Sequence, residues 1–163
     1  MRLALRGLAP ACSVVAVSSL YESAAIVPEG QQPGPDYLNA VCQVETDLAP
    51  AELLRYVKEI EHAIGRRPAE RWAPRVIDID MLLCGNAVVD TPELRVPHPL
   101  LAERNFVLAP LAEIAAGAMH PVLHRTAGEL AAGLEYHGLR RVARWDADAG
   151  AWSHAGDEHD EAQ

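Results

Sequence analysis

The stretch that most constrains the fold is residues 77–83, Ile-Asp-Ile-Asp-Met-Leu-Leu. Ile77, Ile79, Met81 and Leu83 recur at period two, the spacing that puts alternate side chains on one face of a strand. The pattern predicts a half-buried strand. Asp78 and Asp80 then share the opposite face, with Cα atoms about 6.6 Å apart at strand rise. Two carboxylates that close repel unless a cation sits between them or one takes a proton. Spacing alone leaves two readings open. One is a solvated strand face; the other is a Mg²⁺ site, a hard cation on oxygen ligands with phosphates completing the shell. The preceding loop favours the second: Arg71 and Arg75 offer bidentate donors suited to phosphate, and Trp72 offers a flat face for an aromatic ring.

The 163 residues predict one domain with a sizeable core, and half of them are hydrophobic. A net charge of −9 argues against non-specific nucleic-acid binding. The charge is uneven. Asp146, Asp148, Asp157, Glu158, Asp160 and Glu161 crowd the last stretch, while Arg66, Arg67, Arg71 and Arg75 gather around the opening motif. A basic pocket in an acidic chain fits a small polyanion such as ATP. Cys12, Cys42 and Cys84 are odd in number and form no CxxC pair, which argues against a disulfide framework or zinc site. They read as buried free thiols of a cytoplasmic protein. No apolar run approaches the ~20 residues of a membrane span. Residues 1–20 carry two arginines and apolar residues, but Pro10 and Cys12 interrupt any signal-peptide pattern.

In chain order, residues 2–8 read as the end of a helix, with Pro10 as a stop. Residues 14–22 predict a strand, and residues 24–35, rich in Pro and Gly, a long loop of the kind that serves as a lid. Residues 37–46 predict a second strand, with Tyr37 and Asn39 on one face. A helix starts at Pro50, with Glu52 near its positive end, and stops at Gly65. Lys58 and Glu61 are neighbours on its surface. Residues 66–74 form a basic loop, and residues 87–89 return as a hairpin partner of the Asp-containing strand. Residues 91–99 are irregular and display His98 between two prolines, where it is either structural or a phosphate donor. Residues 100–116 predict a helix broken at Pro110. Thr126 and Glu129 have capping-box spacing and open a short helix. From Asp146 onward an acidic, disordered tail is expected, so the domain spans residues 1–145 and the tail 146–163. There is no P-loop and no G-x-G-x-x-G.

With these pieces in place, the chain resembles the 6-hydroxymethyl-7,8-dihydropterin pyrophosphokinase family. The resemblance is carried by Arg71-Trp72-Ala73-Pro74-Arg75-Val76-Ile77-Asp78-Ile79-Asp80, then Val96-Pro97-His98-Pro99, then Arg104-Asn105-Phe106-Val107-Leu108-Ala109-Pro110-Leu111. Val17-Ser18-Ser19-Leu20-Tyr21-Glu22-Ser23 and Asp36-Tyr37-Leu38-Asn39-Ala40 match upstream, so the similarity covers residues 1 to about 130. It implies an α+β, ferredoxin-like sandwich, an antiparallel sheet with helices. It implies transfer of pyrophosphate from ATP to the pterin's hydroxymethyl group, giving AMP, in folate biosynthesis. Asp78 and Asp80 would hold two Mg²⁺ ions. Tyr37, Asn39, Trp72 and Phe106 would form the pterin pocket. Arg67, Arg75, His98 and Arg104 would hold the phosphates, with Arg75, His98 and Arg104 in the catalytic role. Lys58, Glu61, Leu94 and Arg95 would line the nucleotide side. The expected protein is a cytoplasmic monomer acting on small molecules, with no nucleic-acid or membrane partner.

The sequence departs from the family at several points. Ala73 stands where Gly is usual, Ser23-Ala24-Ala25 replaces Thr-Pro-Pro, and Lys58 replaces a common Gln. The family opens with a strand and a Gly-Ser-Asn turn, whereas residues 1–8 match only the end of the helix that follows. The expectation is a sheet lacking its first strand, through an upstream start codon or divergence, with two strand edges unpaired and stability reduced. A catalytically impaired pterin- or nucleotide-binding relative is the alternative reading, and a purely structural domain a third.

Overall fold

In the computed structural model, which describes residues 1–24, 36–65 and 76–154, four helices alternate with short strands. The order is α1 (Arg2–Leu8), β1 (Ser13–Val17), β2 (Leu20–Ser23), β3 (Tyr37–Asn39), β4 (Cys42–Glu45), α2 (Pro50–Ala63), β5 (Val89–Asp90), β6 (Arg95–Val96), α3 (Asn105–Ala115), β7 (Met119–His120), β8 (Arg125–Thr126), α4 (Ala127–Ala132), β9 (Leu139–Asp146) and β10 (Ala151–Ser153). This is the α+β class that was expected, with antiparallel strand pairing, and it is consistent with a ferredoxin-like fold. The residues divide into two units. The first holds Met1–Val15, Val44–Leu101 and Met119–Arg125; the second holds Ala16–Gln43, Ala102–Ala118 and Thr126–Gln163.

The two strands expected over residues 14–22 and 37–46 are each divided. Buried Ser18 and Ser19 lie between β1 and β2. The Ser18 N–H donates to the Val41 carbonyl at 2.9 Å, the Val41 N–H donates back to Ser18 Oγ at 2.9 Å, and the Ser18 hydroxyl donates to the Ser19 carbonyl at 2.8 Å. A hydroxyl that accepts and donates at once can replace a ladder bond. The strands change partner here: β1 pairs with β4, and β2 with β3.

In the first unit, α2 is the largest element. Pro50 fits its first turn, and the Glu52 carboxylate accepts the Ala49 N–H at 2.9 Å. Ala49 has no side-chain acceptor to return the bond. The helix stops at Gly65, whose φ of +108° suits glycine. Val57 and Ile60 are buried on its inner face, and α1 packs against it. The Tyr56 hydroxyl donates to the Gly7 carbonyl at 2.6 Å. The core of this unit is completed by Ala4, Leu8, Cys12, Leu94, Val96 and Leu101.

The segment expected as the Asp-containing strand, residues 77–84, pairs in no ladder among the described residues. A strand is defined by backbone partners, and here the backbone bonds go elsewhere. The Ile79 N–H goes to the Glu61 side chain, and the Leu82 carbonyl accepts the His98 N–H. The alternation itself holds, since Ile77, Ile79 and Met81 are half-buried while Asp78 and Asp80 are exposed. The expected hairpin partner is corrected too. After a tight turn at Gly85 (φ +53°), Val89 and Asp90 pair with Val96 and Arg95, not with residues 77–83.

The second unit is a four-stranded sheet in the order β10-β9-β2-β3, with α3 packed on β2 and β3 and α4 packed on α3. Pro110 does not break α3, which runs from Asn105 to Ala115 with Pro110 fully buried inside it. The helix was expected from residue 100, but residues 100–103 form turns. The Thr126–Glu129 capping box is present in both directions, with bonds of 3.2 and 2.8 Å. The disorder expected from residue 146 does not hold for residues 146–154. β10 pairs with β9, Trp152 packs edge-on against Trp145 with centroids 4.7 Å apart, and Trp152 Nε1 donates to the Ser18 carbonyl at 2.9 Å. Two large apolar rings on adjacent strands outweigh the acidic composition around them.

Candidate active site

The first unit assembles its chemistry around Asp78 and Asp80. α2 supplies Lys58 and Glu61 from one turn of helix. The Glu61 side chain is 1% exposed, so its charge needs partners. Its partners include Lys58 Nζ at 3.0 Å and the Ile79 N–H at 2.6 Å. Ile79 lies between the two aspartates, so the buried carboxylate fixes the backbone that presents them. Lys58 is half-exposed at 47%. Glu61 was expected on the nucleotide side, and its contacts include the Ile79 N–H and Lys58.

The other end of the same segment holds His98. The Leu82 carbonyl accepts the His98 N–H at 2.9 Å, two residues beyond Asp80. The Leu100 N–H donates to His98 Nδ1 at 3.1 Å. With Nδ1 accepting, the neutral ring carries its proton on Nε2 and offers a donor there. Leu94 and Arg95 lie on the adjoining β5–β6 hairpin. Leu94 is buried in the core, and its N–H donates to Thr91 Oγ1 at 3.1 Å. Arg95 pairs with Asp90 at 3.0 Å, both exposed.

Asp78 and Asp80 suit a divalent hard cation: two carboxylates on one exposed side of an extended segment, with the rest of the shell left to phosphate and water. Among the described residues no group of three His, Cys, Asp or Glu side chains converges to hold a metal. Two such carboxylates could hold an ion jointly with a phosphate ligand. Mg²⁺ is bound in that way at phosphate-transfer sites.

The second unit places Tyr37 and Asn39 on β3, with Arg104 and Phe106 at the start of α3. Tyr21 is opposite Asn39 and Ser23 opposite Tyr37 across the β2–β3 ladder. Asn39 Nδ2 donates to buried Ser23 Oγ at 3.0 Å and approaches the Tyr21 and Tyr37 carbonyls at 3.4 and 3.3 Å. Carbonyls only accept, so the nitrogen must face them and Oδ1 must face the other way. Asn39 therefore presents an acceptor. Tyr37 is 50% exposed. The Arg104 guanidinium lies 5.6 Å from the Phe106 ring centroid, within cation–π range. Arg67, Trp72 and Arg75, together with Ala73, lie outside the described residues.

Three contacts went unread in the sequence. The Glu113 carboxylate receives the Ser19 N–H at 3.0 Å, the Ser19 hydroxyl at 2.7 Å and the Tyr21 hydroxyl at 3.1 Å. Burial and the neighbouring Glu113 charge push the Tyr21 phenol up to about 12. The available signal was spacing: Glu113 is seven residues from Phe106, two helical turns along the same face. Ser19, Tyr21 and Ser23 sit at period two with no chemistry of their own to mark them.

Each unit of this α+β protein thus carries its own candidate patch, an exposed aspartate pair in the first and an aromatic–amide group in the second. A family profile described as 7,8-dihydro-6-hydroxymethylpterin-pyrophosphokinase matches residues 1–116. Folic acid synthesis protein FOL1 of Dictyostelium discoideum is 40% identical over 119 residues, covering 73% of this chain and 18% of that protein. A 2-amino-4-hydroxy-6-hydroxymethyldihydropteridine pyrophosphokinase of Aquifex aeolicus is 41% identical over 109 residues, covering 67% of this chain and 66% of that one. The enzyme of the same name from Pseudomonas aeruginosa is 40% identical over 133 residues, covering 82% and 80%. The chain thus belongs to the 7,8-dihydro-6-hydroxymethylpterin-pyrophosphokinase family. It spans just under two thirds of the Aquifex enzyme's length and under a fifth of the Dictyostelium protein's. Among the described residues no helix is long and apolar enough to cross a membrane.

Proposed function

We propose that this chain transfers the β,γ-diphosphoryl group of ATP to the hydroxymethyl oxygen of 6-hydroxymethyl-7,8-dihydropterin, a step of folate biosynthesis. The pterin oxygen bonds to the β-phosphorus, the bond from that phosphorus to the α,β-bridging oxygen breaks, and AMP leaves with the bridging oxygen. The alcohol proton is released to solvent. The reading is supported by family membership. The one structural observation that carries it is the aspartate pair, exposed on one side of a segment whose central N–H is held by buried Glu61.

In this reading Asp78 and Asp80 hold Mg²⁺, two ions in all. When bound, the metal neutralises phosphate charge, which is most of what phosphoryl transfer requires. The chain's own residues supply the rest. His98, through its Nε2 proton, and Arg104, Arg75 and Arg67 donate to phosphate oxygens, while Lys58 and Arg95 contribute positive charge on the nucleotide side with Leu94. Glu61 belongs to that side as support for Lys58 and for the Asp78–Asp80 backbone. Tyr37, Phe106 and Trp72 give the pterin ring apolar faces. Asn39 Oδ1 accepts from the ring's amino or N–H edge. A cytoplasmic monomer that takes only small-molecule substrates completes the reading.

The test is AMP formation by the purified chain, measured with ATP, the pterin and Mg²⁺ and with each omitted in turn. AMP that requires all three is the expected result. AMP formed without the pterin, or none with all three present, rejects the reading.

A further inference from the structure

Glu113 binds three donors from β2 and the residue before it, yet it is itself exposed. An exposed carboxylate contributes little to global stability. What three converging donors fix is orientation. Glu113 lies on α3 two turns beyond Phe106, on the same helix face. The strand it grips carries Tyr21 and Ser23, which stand opposite Asn39 and Tyr37 on β3. Directly opposed residues of an antiparallel pair share a face of the sheet. Tyr21 reaches α3 from that face, so Tyr37 and Asn39 also stand on it, and α3 packs against both strands.

We propose that Glu113 is a positioning residue. By pinning α3 to the start of β2, it sets the place of Phe106 over the face that carries Tyr37 and Asn39, and with it the fit of a planar pterin ring. The inference rests on the pterin reading above. Its consequence is graded: loosening the pin costs pterin recognition more than ATP recognition, because Arg104 alone of the residues named for the phosphates and nucleotide stands at the start of α3, while Lys58, Arg95 and His98 lie outside that helix.

The experiment uses the full chain with 4-fluorophenylalanine in place of phenylalanine. Phe106 is the only phenylalanine, so the ¹⁹F spectrum has one protein resonance that reports its surroundings. Glu113→Gln keeps the shape but reduces the acceptors available to three donors; Tyr21→Phe removes one donor and leaves the fold intact. Both variants are expected to shift or broaden the resonance without ligand. Both should raise the pterin KM about tenfold or more, as small misplacements do, with the ATP KM within about twofold. An unmoved resonance, or equal rises in both KM values, overturns the proposal. If the unmodified chain forms no AMP, the pterin reading fails, and the ligand-free ¹⁹F comparison still decides whether Glu113 places Phe106.

Discussion

The buried carboxylate of Glu61 accepts the N–H of Ile79 at 2.6 Å, and Ile79 is the residue between Asp78 and Asp80. One helix side chain therefore holds the centre of the aspartate segment. Glu61→Ala leaves that N–H without its charged acceptor and Lys58 without its partner. Hydrogen bonds to charged groups are worth about 1.5–3 kcal/mol, so urea unfolding should show a loss in that range. Glu61→Gln keeps a carbonyl acceptor and should lose about half as much. Mn²⁺ affinity, read by electron paramagnetic resonance, should fall in Glu61→Ala although both aspartates remain. Unchanged Mn²⁺ affinity would show that the segment holds its shape without Glu61.

Asp80→Asn is expected to separate activity from stability. Asp80 is exposed, and substitutions at such sites usually change stability by less than about 0.5 kcal/mol. Without metal, removing one of two like charges relieves repulsion. Turnover, by contrast, should fall by about 10²–10³, the cost of losing one group that stabilises transition-state charge. Thermal unfolding and AMP formation on the same preparation check both halves. Retained turnover would remove Asp80 from the metal site.

Tyr21 gives a prediction at high pH. Its phenol is pushed up to about 12 from an ordinary 10, first by burial and then by Glu113. The folded state thus holds this proton more tightly than the unfolded state. The resulting stability is complete below pH 10 and is lost as pH rises from 10 through 12. Of the four tyrosines, one should ionise late in a 295 nm absorbance titration, and Tyr21→Phe should delete that late step. A late step that survives in Tyr21→Phe would assign it to another tyrosine.

What the sequence made legible was local. Period two at residues 77–83 correctly separates half-buried Ile77, Ile79 and Met81 from exposed Asp78 and Asp80, because alternation depends only on an extended backbone. It says nothing about which groups take the backbone bonds, and those went to Glu61 and His98. The Thr126–Glu129 cap was readable because both partners lie within four residues. β9 was not, since Arg140 and Arg141 are consecutive and its pairing with β2 shifts between Leu20 and Tyr21, which breaks the alternation. Among the candidate site residues, residue types and spacing pointed to Asp78 and Asp80, while Asn39 came only with the family resemblance. The supports, Glu113, Ser19 and Ser23, are defined by contacts between elements far apart in the chain.

Gly7 tests how tightly α1 meets α2. A Cβ built there would lie 2.9 Å from Ile60 Cγ2 and 3.1 Å from its Cγ1. Ile60 is buried and its branched side chain is stiff at χ1, so it cannot simply swing aside. Two effects oppose each other in Gly7→Ala. Helix propensity favours alanine by roughly 0.8–1.0 kcal/mol. Overpacking typically costs about 1–3 kcal/mol. The second wins in a contact this close, for a net loss of about 1 kcal/mol in urea unfolding. Ile60→Ala removes both clashing carbons, so in the Gly7→Ala/Ile60→Ala double variant alanine at position 7 should become neutral or stabilising. A Gly7→Ala protein more stable than the parent would mean that α1 can draw back from α2 at little cost.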